Sequence, residues 1–313
     1  MVYAEIEDKE LRAHLASLPR DGMAVFVMAG GRIRGALFHG TEFVNRMRVQ
    51  HGLGVLETMV LGQAALCGAL MIPMMKGRER ISWKYESDGP AAGFSIEADS
   101  AGSVRGFLFN ERIPVEAPIS SWDIRPFLGT GTMTVSRIHA EDRFPRTSTV
   151  AVGSGSIADD LAAYYGQSEQ VHTAFNTGIQ YDSAGRVVGA GGMFLQVMPE
   201  SGGTIGAEPD SGGRPLLEAV ELAFRTAPSL GQWFGEGGSS DDLIYGLFRE
   251  FAPSVAVRRD VSFFCPCSEE SFLAQLRGLP ASQLEEIRRD GPDPLEICCR
   301  NCGSVYRIPV KGV

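Results

Sequence analysis

The cysteines of this chain are concentrated near its carboxyl end. Cys67 is the only cysteine before residue 265, and the other five lie within the last 49 residues. Four of these form two close pairs, a C-x-C pair (Cys265, Cys267) and a C-x-x-C pair (Cys299, Cys302), with 31 residues between them. Four thiolates in two close pairs suit tetrahedral Zn²⁺, and no histidine follows residue 172 to replace one of them. The sequence therefore predicts one Zn²⁺ per reduced chain, bound by these four cysteines.

Spacing alone leaves the fifth cysteine and the use of the site open. Cys298 either replaces Cys299 as a ligand through a C-x₃-C spacing or stays a spare thiol. Most Cys₄ sites only hold a small domain together, which would make this one a structural zinc knuckle. However, each pair can also close a disulfide on oxidation, which removes all four ligands and unfolds a module that depends on the metal. A thioredoxin-like dithiol is disfavoured, because Cys299 does not start a helix after a strand in a βαβ unit.

Charge and composition exclude several classes of partner. The chain has 38 acidic and 29 basic residues, a net charge of −9, which repels phosphate backbones and anionic lipid surfaces. We therefore expect neither nucleic acid nor membrane as a partner. The first residues, MVYAEIEDKELRAHL, lack the basic start and apolar run of a secretion signal, so we expect a cytoplasmic protein with reduced thiols.

One apolar segment reaches the length threshold of a membrane span. Residues 58–75 are 18 residues without a charge, between Glu57 and Lys76. The segment contains Gln63, two glycines and Pro73, whereas a bilayer span needs about 20 strongly apolar residues. The sequence therefore predicts a buried core helix.

The pattern along the chain predicts an α+β fold in three parts. Residues 1–200 alternate short β-prone runs with helices and form a mixed body. Residues 201–256 form a metastable helical linker, and residues 257–313 form the small Cys₄ zinc-binding module.

The linker combines short helices with spacers. Residues 201–215, SGGTIGAEPDSGGRP, have the composition of a flexible connection. Helical stretches are predicted over residues 215–227 and 239–251, and the intervening PSLGQWFGEGGSS is not core-like. Residues 200–250 carry nine acidic and three basic side chains. Because helices this short depend on packing, the linker should be among the first parts to open.

Two other motifs are explained by helix capping. Gly153, Gly155 and Ala158 spell G-x-G-x-x-A, but no acidic residue closes a second strand about 20 residues later, as a dinucleotide site requires. Ser156 with Asp159 instead predicts a capping box. In the module, a second capping box (Ser282, Glu285) and a stop at Gly291 predict a short helix between the cysteine pairs.

No motif of an enzyme is present in the sequence. The five histidines show no H-x-x-x-H spacing, and the sequence contains no G-x-S-x-G elbow, P-loop or H-E-x-x-H. We therefore expect a protein that is not an enzyme.

The sequence resembles the family of 33-kDa redox-regulated heat-shock chaperones along nearly its whole length. In the body, the resemblance is carried by RIRG (32–35), LETMVLGQAALCGALM followed by Lys76 and Gly77, VRGF (104–107), YYGQSEQVHT (164–173) and AGGMFLQVMP (190–199). In the carboxyl-terminal part it is carried by FFCPCS and CRNCGSVYRI.

The resemblance implies a redox-regulated, ATP-independent holdase. Reduced members of that family bind zinc through four cysteines and are inactive. Oxidants such as hypochlorous acid, or peroxide with heat, form two disulfides, release zinc and unfold the tail and the linker, and the opened protein holds unfolding clients. For this chain it implies the ligands Cys265, Cys267, Cys299 and Cys302, the disulfides Cys265–Cys267 and Cys299–Cys302, and a homodimer when oxidised.

The sequence departs from the family pattern beside the first cysteine pair. The family often has basic residues there, whereas this chain has Ser268, Glu269, Glu270 and Ser271, and nearby negative charge should raise thiol pKa and slow oxidation. Cys298 could divert disulfide pairing. The competing hypotheses are a constitutive binding protein with a structural zinc knuckle and a thiol oxidoreductase that uses Cys299 and Cys302.

Overall fold

The structure, a computed structural model, describes residues 1–115, 121–198 and 215–310. Apart from residue 215, the predicted flexible segment 201–215 lies outside the described residues. Within them, helices and strands are mixed along the chain, as the predicted α+β class requires.

The helices and strands of the described residues follow in chain order. The helices are α1 (Lys9–Ser17), α2 (Thr41–His51), α3 (Val55–Met71), α4 (Arg125–Leu128), α5 (Ile157–Ser168), α6 (Leu216–Arg225), α7 (Leu230–Gly235), α8 (Ser240–Leu247), α9 (Glu269–Arg277) and α10 (Ala281–Asp290). The strands are β1 (Gly22–Met28), β2 (Ile33–His39), β3 (Glu79–Ser87), β4 (Gly93–Asp99), β5 (Ser103–Leu108), β6 (Gly131–His139), β7 (Arg146–Val152), β8 (Thr173–Tyr181), β9 (Val187–Val197), β10 (Ser254–Arg259), β11 (Ser262–Phe263), β12 (Leu295–Cys298) and β13 (Val305–Ile308).

The strands form two large sheets and one hairpin. Sheet A has the order β10-β1-β2-β9-β8, and sheet B has the order β11-β5-β4-β3-β6-β7. Neighbouring strands are antiparallel except β11, which pairs parallel with β5. The hairpin pairs β12 with β13 in the carboxyl-terminal module. β10 therefore attaches the linker's end to sheet A, and β11 attaches the start of the module to sheet B.

Helix α3 lies between the two sheets and forms the centre of the main core. It contacts β2, β8 and β9 of sheet A and β4 and β5 of sheet B. The stretch Val55–Met74 is apolar and long enough to cross a membrane, yet 89% of its apolar window is buried inside the protein. This burial is typical of a core helix and confirms the prediction for residues 58–75.

The central strands of sheet A pack against an apolar cluster on each face. Its inner face, which includes Met23, Val25 and Phe38, packs into the α3 core. Its outer face, consisting of Ala24, Phe26, Met28, Ile33, Leu37, Met193 and Leu195, packs against α6, α7 and α8 in a second apolar cluster. Because side chains alternate along a strand, β1 supplies residues to both clusters.

The structure corrects the prediction that PSLGQWFGEGGSS is not core-like. This segment contains α7, in which Leu230 and Phe234 are buried. Gly231 of this segment is required by packing, because a Cβ added there would lie 2.6 Å from the Gln180 backbone nitrogen. Glycine here permits close contact between a helix and a sheet, although the same residue type is also typical of a flexible spacer.

The structure confirms Ser156 as a helix cap, although its own amide donates to Ser154 Oγ and not to the Asp159 side chain that a capping box requires, and it contradicts the cap predicted at Ser282. The Ser156 hydroxyl accepts a hydrogen bond from the Asp159 amide at 3.2 Å. The Asp160 carboxylate accepts hydrogen bonds from the amides of Gly153 and Ser154 in the glycine-rich loop. α10 begins at Ala281 after Pro280, so Ser282 lies inside its first turn and caps nothing. Gly291 follows the helix as predicted.

The predicted three-part division stays a prediction. β10 runs across residue 256, where the linker was predicted to end. α6 to α8 occupy the described portion of that linker.

Candidate metal centre

The four predicted ligand cysteines meet at one point. Cys265 and Cys267 follow β11, and Cys299 and Cys302 lie in the turn between β12 and β13. All four sulfur atoms lie within 4.8 Å of one another. The Sγ atoms of Cys265 and Cys299 are 3.8 Å apart, and those of Cys267 and Cys302 are 3.4 Å apart. The hairpin thus brings the second pair of cysteines against the first.

This arrangement fits a tetrahedral metal ion. Sulfur ligands at about 2.3 Å from Zn²⁺ stand about 3.8 Å from one another in a tetrahedron. The four thiols are unbonded to one another, and each is buried, with at most 9% of its surface exposed. A buried set of four sulfurs is a donor set for a soft metal.

Two cysteines lie outside the cluster. Cys298 is exposed at the end of β12, so the cluster contains Cys299 as its third sulfur. Cys67 is fully buried in α3, where burial raises the pKa of its thiol and leaves it unreactive.

The turn that carries Cys299 and Cys302 is held by backbone hydrogen bonds. The amide of Gly303 donates to the carbonyl of Cys299 at 2.7 Å, and the amide of Cys299 donates to the carbonyl of Ser304 at 2.8 Å. Gly303 has φ +69, and a Cβ there would lie 2.4 Å from the Gln50 carbonyl oxygen of α2. Only glycine satisfies both the turn and this close contact.

Three polar side chains compensate the buried sulfurs. The Arg105 guanidinium on β5 donates to Cys265 Sγ at 3.2 Å and also binds Glu97. The Tyr306 hydroxyl donates to the Cys267 carbonyl at 2.8 Å, and its oxygen lies 3.2 Å from Cys267 Sγ. Ser304 Oγ lies 3.2 Å from Cys302 Sγ. The Arg105 contact stabilises thiolate charge that would otherwise be costly to bury, and the contacts of Tyr306 and Ser304 fix the positions of Cys267 and Cys302.

Charge is unevenly distributed within the cluster. The hydrogen bond from Cys299, with further hydrogen bonds that include one from Arg105, holds the pKa of the Cys265 thiol far below its ordinary value. The hydrogen bond to Cys265 raises the pKa of Cys302 to about 11. Cys265 therefore ionises more readily than Cys299 or Cys302, whose pKa values are raised.

The module that carries the cysteines is docked against the body. Phe263 is buried against two rings of α2, with centroids 6.3 Å from Phe43 and 5.9 Å from His51. The Arg300 guanidinium lies 4.3 Å from the centroid of Phe107 on β5. The geometry of the metal centre is thus connected to sheet B and to α2.

Sequence reasoning found the sulfurs but missed their partners. Arg105 belongs to VRGF and is separated from Cys265 by 160 positions in the chain, so no local spacing connects them. Ser304 and Tyr306 lie two and four residues after Cys302, and no spacing rule assigns a role to serine or tyrosine at these positions. The polar stretch after Cys267 starts a helix: Ser268 and Ser271 form a capping box, and Glu269 and Glu270 lie in the first turn of α9.

The fold and the site define an α+β protein with a cysteine metal module docked on its sheets. The sequence profile of the Hsp33 protein family matches residues 21–309. The chain is 28% identical over 296 residues to the 33 kDa chaperonin of Aquifex aeolicus, covering 92% of this chain and 87% of that protein. It is 33% identical over 303 residues to the 33 kDa chaperonin of Thermus thermophilus, covering 91% and 83%. The crystal structure of the 33 kDa chaperonin from Thermotoga maritima aligns with a TM-score of 0.79 at 26% identity, covering 94% of this chain and 96% of that one.

The chain belongs to the Hsp33 family. The predicted resemblance is therefore confirmed, and with it a chaperone role and the binding of client proteins. The relatives are named as chaperonins, in keeping with a protein that is not an enzyme.

Proposed function

We propose that this chain is a redox-regulated, ATP-independent holdase in which the four-cysteine module controls the cover over the outer face of sheet A. The observation that carries the proposal is the order of attachment along the chain. α6 to α8 cover the outer face, β10 follows them, and β11 and Cys265 come next. The helices α6 to α8, which cover the apolar surface, are thus followed in the chain by β10, β11 and the buried cysteines, and these would hold the carboxyl end of the cover in place.

The metal is proposed to be one Zn²⁺ bound by Cys265, Cys267, Cys299 and Cys302. Zinc bound by four thiolates supplies folding free energy to a small module. Arg105, Ser304 and Tyr306 would hold the ligands in place, since each contacts a sulfur or the backbone beside it.

Oxidation would remove the ligands in pairs, as Cys265–Cys267 and Cys299–Cys302. Each disulfide takes two electrons from two thiolates. Hypochlorous acid accepts them and, with one proton from solvent, becomes chloride and water. All four sulfurs lie within 4.8 Å of one another, so the two sulfurs of each pair must still approach one another to reach the disulfide bond length of about 2 Å.

The consequence of opening is exposure of the outer face of sheet A. Phe26 and Leu37 are fully buried there, beneath the linker helices. A large exposed apolar patch binds non-native chains, so clients that unfold in the cytoplasm during oxidative stress would be held without ATP. The resemblance adds a homodimer as the oxidised form.

The test follows metal release and chaperone activity together. Purified reduced protein is treated with hypochlorous acid, or with peroxide at raised temperature, while a chromogenic chelator reports zinc and light scattering reports aggregation of a heat-denaturing client. We expect one zinc to leave per chain as aggregation becomes suppressed, and a Cys298→Ser control to behave in the same way. Zinc release without a gain in suppression would assign the cysteines a purely structural role.

A further inference from the structure

The first seven residues of the chain form an extended segment, which we call the amino-terminal strap. Residues 1–7 belong to no helix or strand and lead into α1. Ile6 is buried, as is Leu11 in the first turn of α1, and the His14 ring lies 2.6 Å from the Val188 carbonyl of β9. The end of the strap that joins α1 is therefore fixed to the body.

Helix α2 holds the strap through two side chains. The Gln50 side chain donates to the Val2 carbonyl at 2.6 Å and accepts from the Ala4 amide at 3.0 Å. The Arg46 guanidinium, one turn earlier in α2, donates to the Ala4 carbonyl at 2.8 Å and lies 5.7 Å from the centroid of the Tyr3 ring. The strap is thus bound to α2 through its own backbone groups.

The strap also contacts the metal module. The Met1 nitrogen donates to the Cys267 carbonyl at 2.7 Å, and the Val2 amide donates to Ser304 Oγ at 3.1 Å. Cys267 belongs to the C-x-C pair, and Ser304 follows the C-x-x-C pair. The strap therefore connects α2 to both halves of the metal centre.

Ser304 joins the strap to a sulfur of the cluster. Its hydroxyl oxygen is buried and lies 3.2 Å from Cys302 Sγ. A hydroxyl has one proton to donate and two lone pairs that accept. The Val2 amide and the Gln50 side-chain amide occupy the lone pairs, which leaves the proton for the Val2 carbonyl, at 3.1 Å, or for Cys302. A metal-bound cysteine is a thiolate and the stronger acceptor, so the strap directs this proton toward Cys302.

We infer that the amino-terminal strap is a second fastening of the metal module, which positions the Ser304 hydroxyl on Cys302 and slows loss of the metal. This regulation deepens the proposed function and rests on its claim that the four cysteines bind zinc. Phe43 and Met47 hold α2 in the main core, so α2 stays in place when the module opens. Either the bonds of the strap to α2 or its bonds to the module must then break. An opening that breaks more hydrogen bonds occurs more rarely, so the metal leaves more slowly.

The first test compares two substitutions of Val2 in the full, reduced and zinc-loaded chain. Val2→Pro removes the amide hydrogen that Ser304 accepts and keeps the carbonyl, whereas Val2→Ala keeps both backbone groups. Zinc transfer to an excess of a chromogenic chelator, without oxidant, should be roughly fivefold faster in Val2→Pro, the effect of one net hydrogen bond, and unchanged in Val2→Ala. A variant that lacks residues 1–4 should release zinc faster still.

The zinc content of the intact chain separates the two proposals. If the intact chain binds no zinc, the proposed function fails and the inference fails with it. If the intact chain binds one zinc but Val2→Pro and the variant that lacks residues 1–4 release it at the rate of the intact chain, the inference alone is overturned.

The second test separates positioning of Ser304 from simple tethering. In the cobalt-loaded chain, the thiolate-to-metal charge-transfer band reports hydrogen bonding to the sulfurs. We expect Val2→Pro and Ser304→Ala to shift this band in the same direction and Val2→Ala to leave it in place. Once Ser304 is replaced by alanine, Val2→Pro should accelerate zinc transfer no further. A band that Val2→Pro does not move, or an acceleration that persists in the Ser304→Ala background, would overturn the inference.

Discussion

The central strands of sheet A are buried on both faces, but by different kinds of cover. The inner face packs on the core around α3, a helix of 17 residues that is itself enclosed by two sheets. The outer face packs on α6, α7 and α8, which have 10, 6 and 8 residues and keep Leu222 and Tyr245 about half exposed. One face is thus covered by the centre of the protein, and the other by short helices at its surface.

The difference indicates which surface is available for regulation. Removing α3 would dissolve the main core, whereas removing α6 to α8 would leave both sheets and α3 in contact. Short helices are stabilised mainly by packing, so their local free energy of opening lies below that of the whole protein. The outer face of sheet A is therefore the apolar surface that the body can expose while it stays folded.

The largest effect is expected from removal of a metal ligand. Cys302→Ser leaves three buried sulfurs, so we expect loss of bound zinc and unfolding of the module, with the outer face exposed and the inner face still covered. Structural zinc sites contribute on the order of 10 kcal/mol to the folding of small modules. Zinc content, limited proteolysis and binding of a hydrophobic dye measure these changes. Cys298→Ser is the matched control, because Cys298 is exposed and outside the cluster, and it should leave all three unchanged.

The next effect compares one aromatic anchor on each face. Phe248 of the outer cover stacks on Phe26, with centroids 5.6 Å apart, and Phe38 of the inner face contacts Phe43 at 5.4 Å. Each substitution to alanine should cost about 3–5 kcal/mol. For Phe248→Ala we expect dye binding with zinc retained and little change in the main Tm, whereas Phe38→Ala should lower the main Tm. If both variants lowered the main Tm equally and neither bound dye in the folded state, the two covers would not be separable.

A third prediction concerns pH and His39, which lies beneath the outer cover. Its ring stacks on Phe234 with centroids 4.5 Å apart, and burial lowers its pKa to about 4 from 6.5. Stability from neutral His39 is complete above pH 6.5 and is lost as the pH falls through 4. Burial raises the pKa of the neighbouring Asp21 to about 7, so that group acts in the opposite direction, with stability lost as the pH rises through 7.

The contributions of His39 and Asp21 to the pH dependence of stability have opposite signs, and substitution of one group at a time separates them. Asp21→Asn keeps an acceptor for the α2 amides and removes the opposing titration, so the variant should lose roughly 3 kcal/mol of stability between pH 7 and pH 4. Thermal unfolding across this range measures the slope. The double variant Asp21→Asn with His39→Gln should lose the part of the slope that His39 supplies and keep only the part from other groups, such as the buried His51, whose pKa burial also lowers. A slope that is the same in Asp21→Asn and in the double variant would exclude His39 as its source.

The smallest effect comes from two matched helix caps. Ser239 caps α8 in the outer cover, and Ser156 caps α5 in the body. Each change to alanine should cost about 1 kcal/mol. Ser239→Ala should increase amide exchange in α8 and lower the oxidant dose needed for activation, while Ser156→Ala should lower the main Tm without affecting that dose. Equal oxidant doses for the two variants would contradict separate control of the outer cover.

Patterns within a short stretch of sequence predicted several of the helices that the structure contains. The uncharged run 58–75 predicted α3, and the C-x-C and C-x-x-C spacings predicted which four sulfurs meet, because both signals are carried by neighbouring residues. Contacts between residues that are distant in the sequence were not predictable from such local patterns. Arg105 reaches Cys265 only because β5 and β11 are adjacent in sheet B, and no periodicity reports that pairing.

Glycine gave the most misleading local signal. Gly231 and its neighbours gave α7 the composition of a spacer, although glycine there allows the helix to approach β8 and β9 closely. Ser282 is not the helix cap because α10 begins after Pro280, two residues earlier in the chain. Glycine occurs both in flexible spacers and at close packing contacts, and serine occurs both as a helix cap and inside the first turn. In each case the prediction used the more common role.

The most direct test of the central claim is hydrogen–deuterium exchange of the full chain before and after zinc is removed by oxidation. We predict that amides of α6, α7 and α8 lose protection together with those of the module, while amides of α3 stay protected. If α6 to α8 kept their protection after zinc had left, the metal centre would not control the cover over the outer face of sheet A.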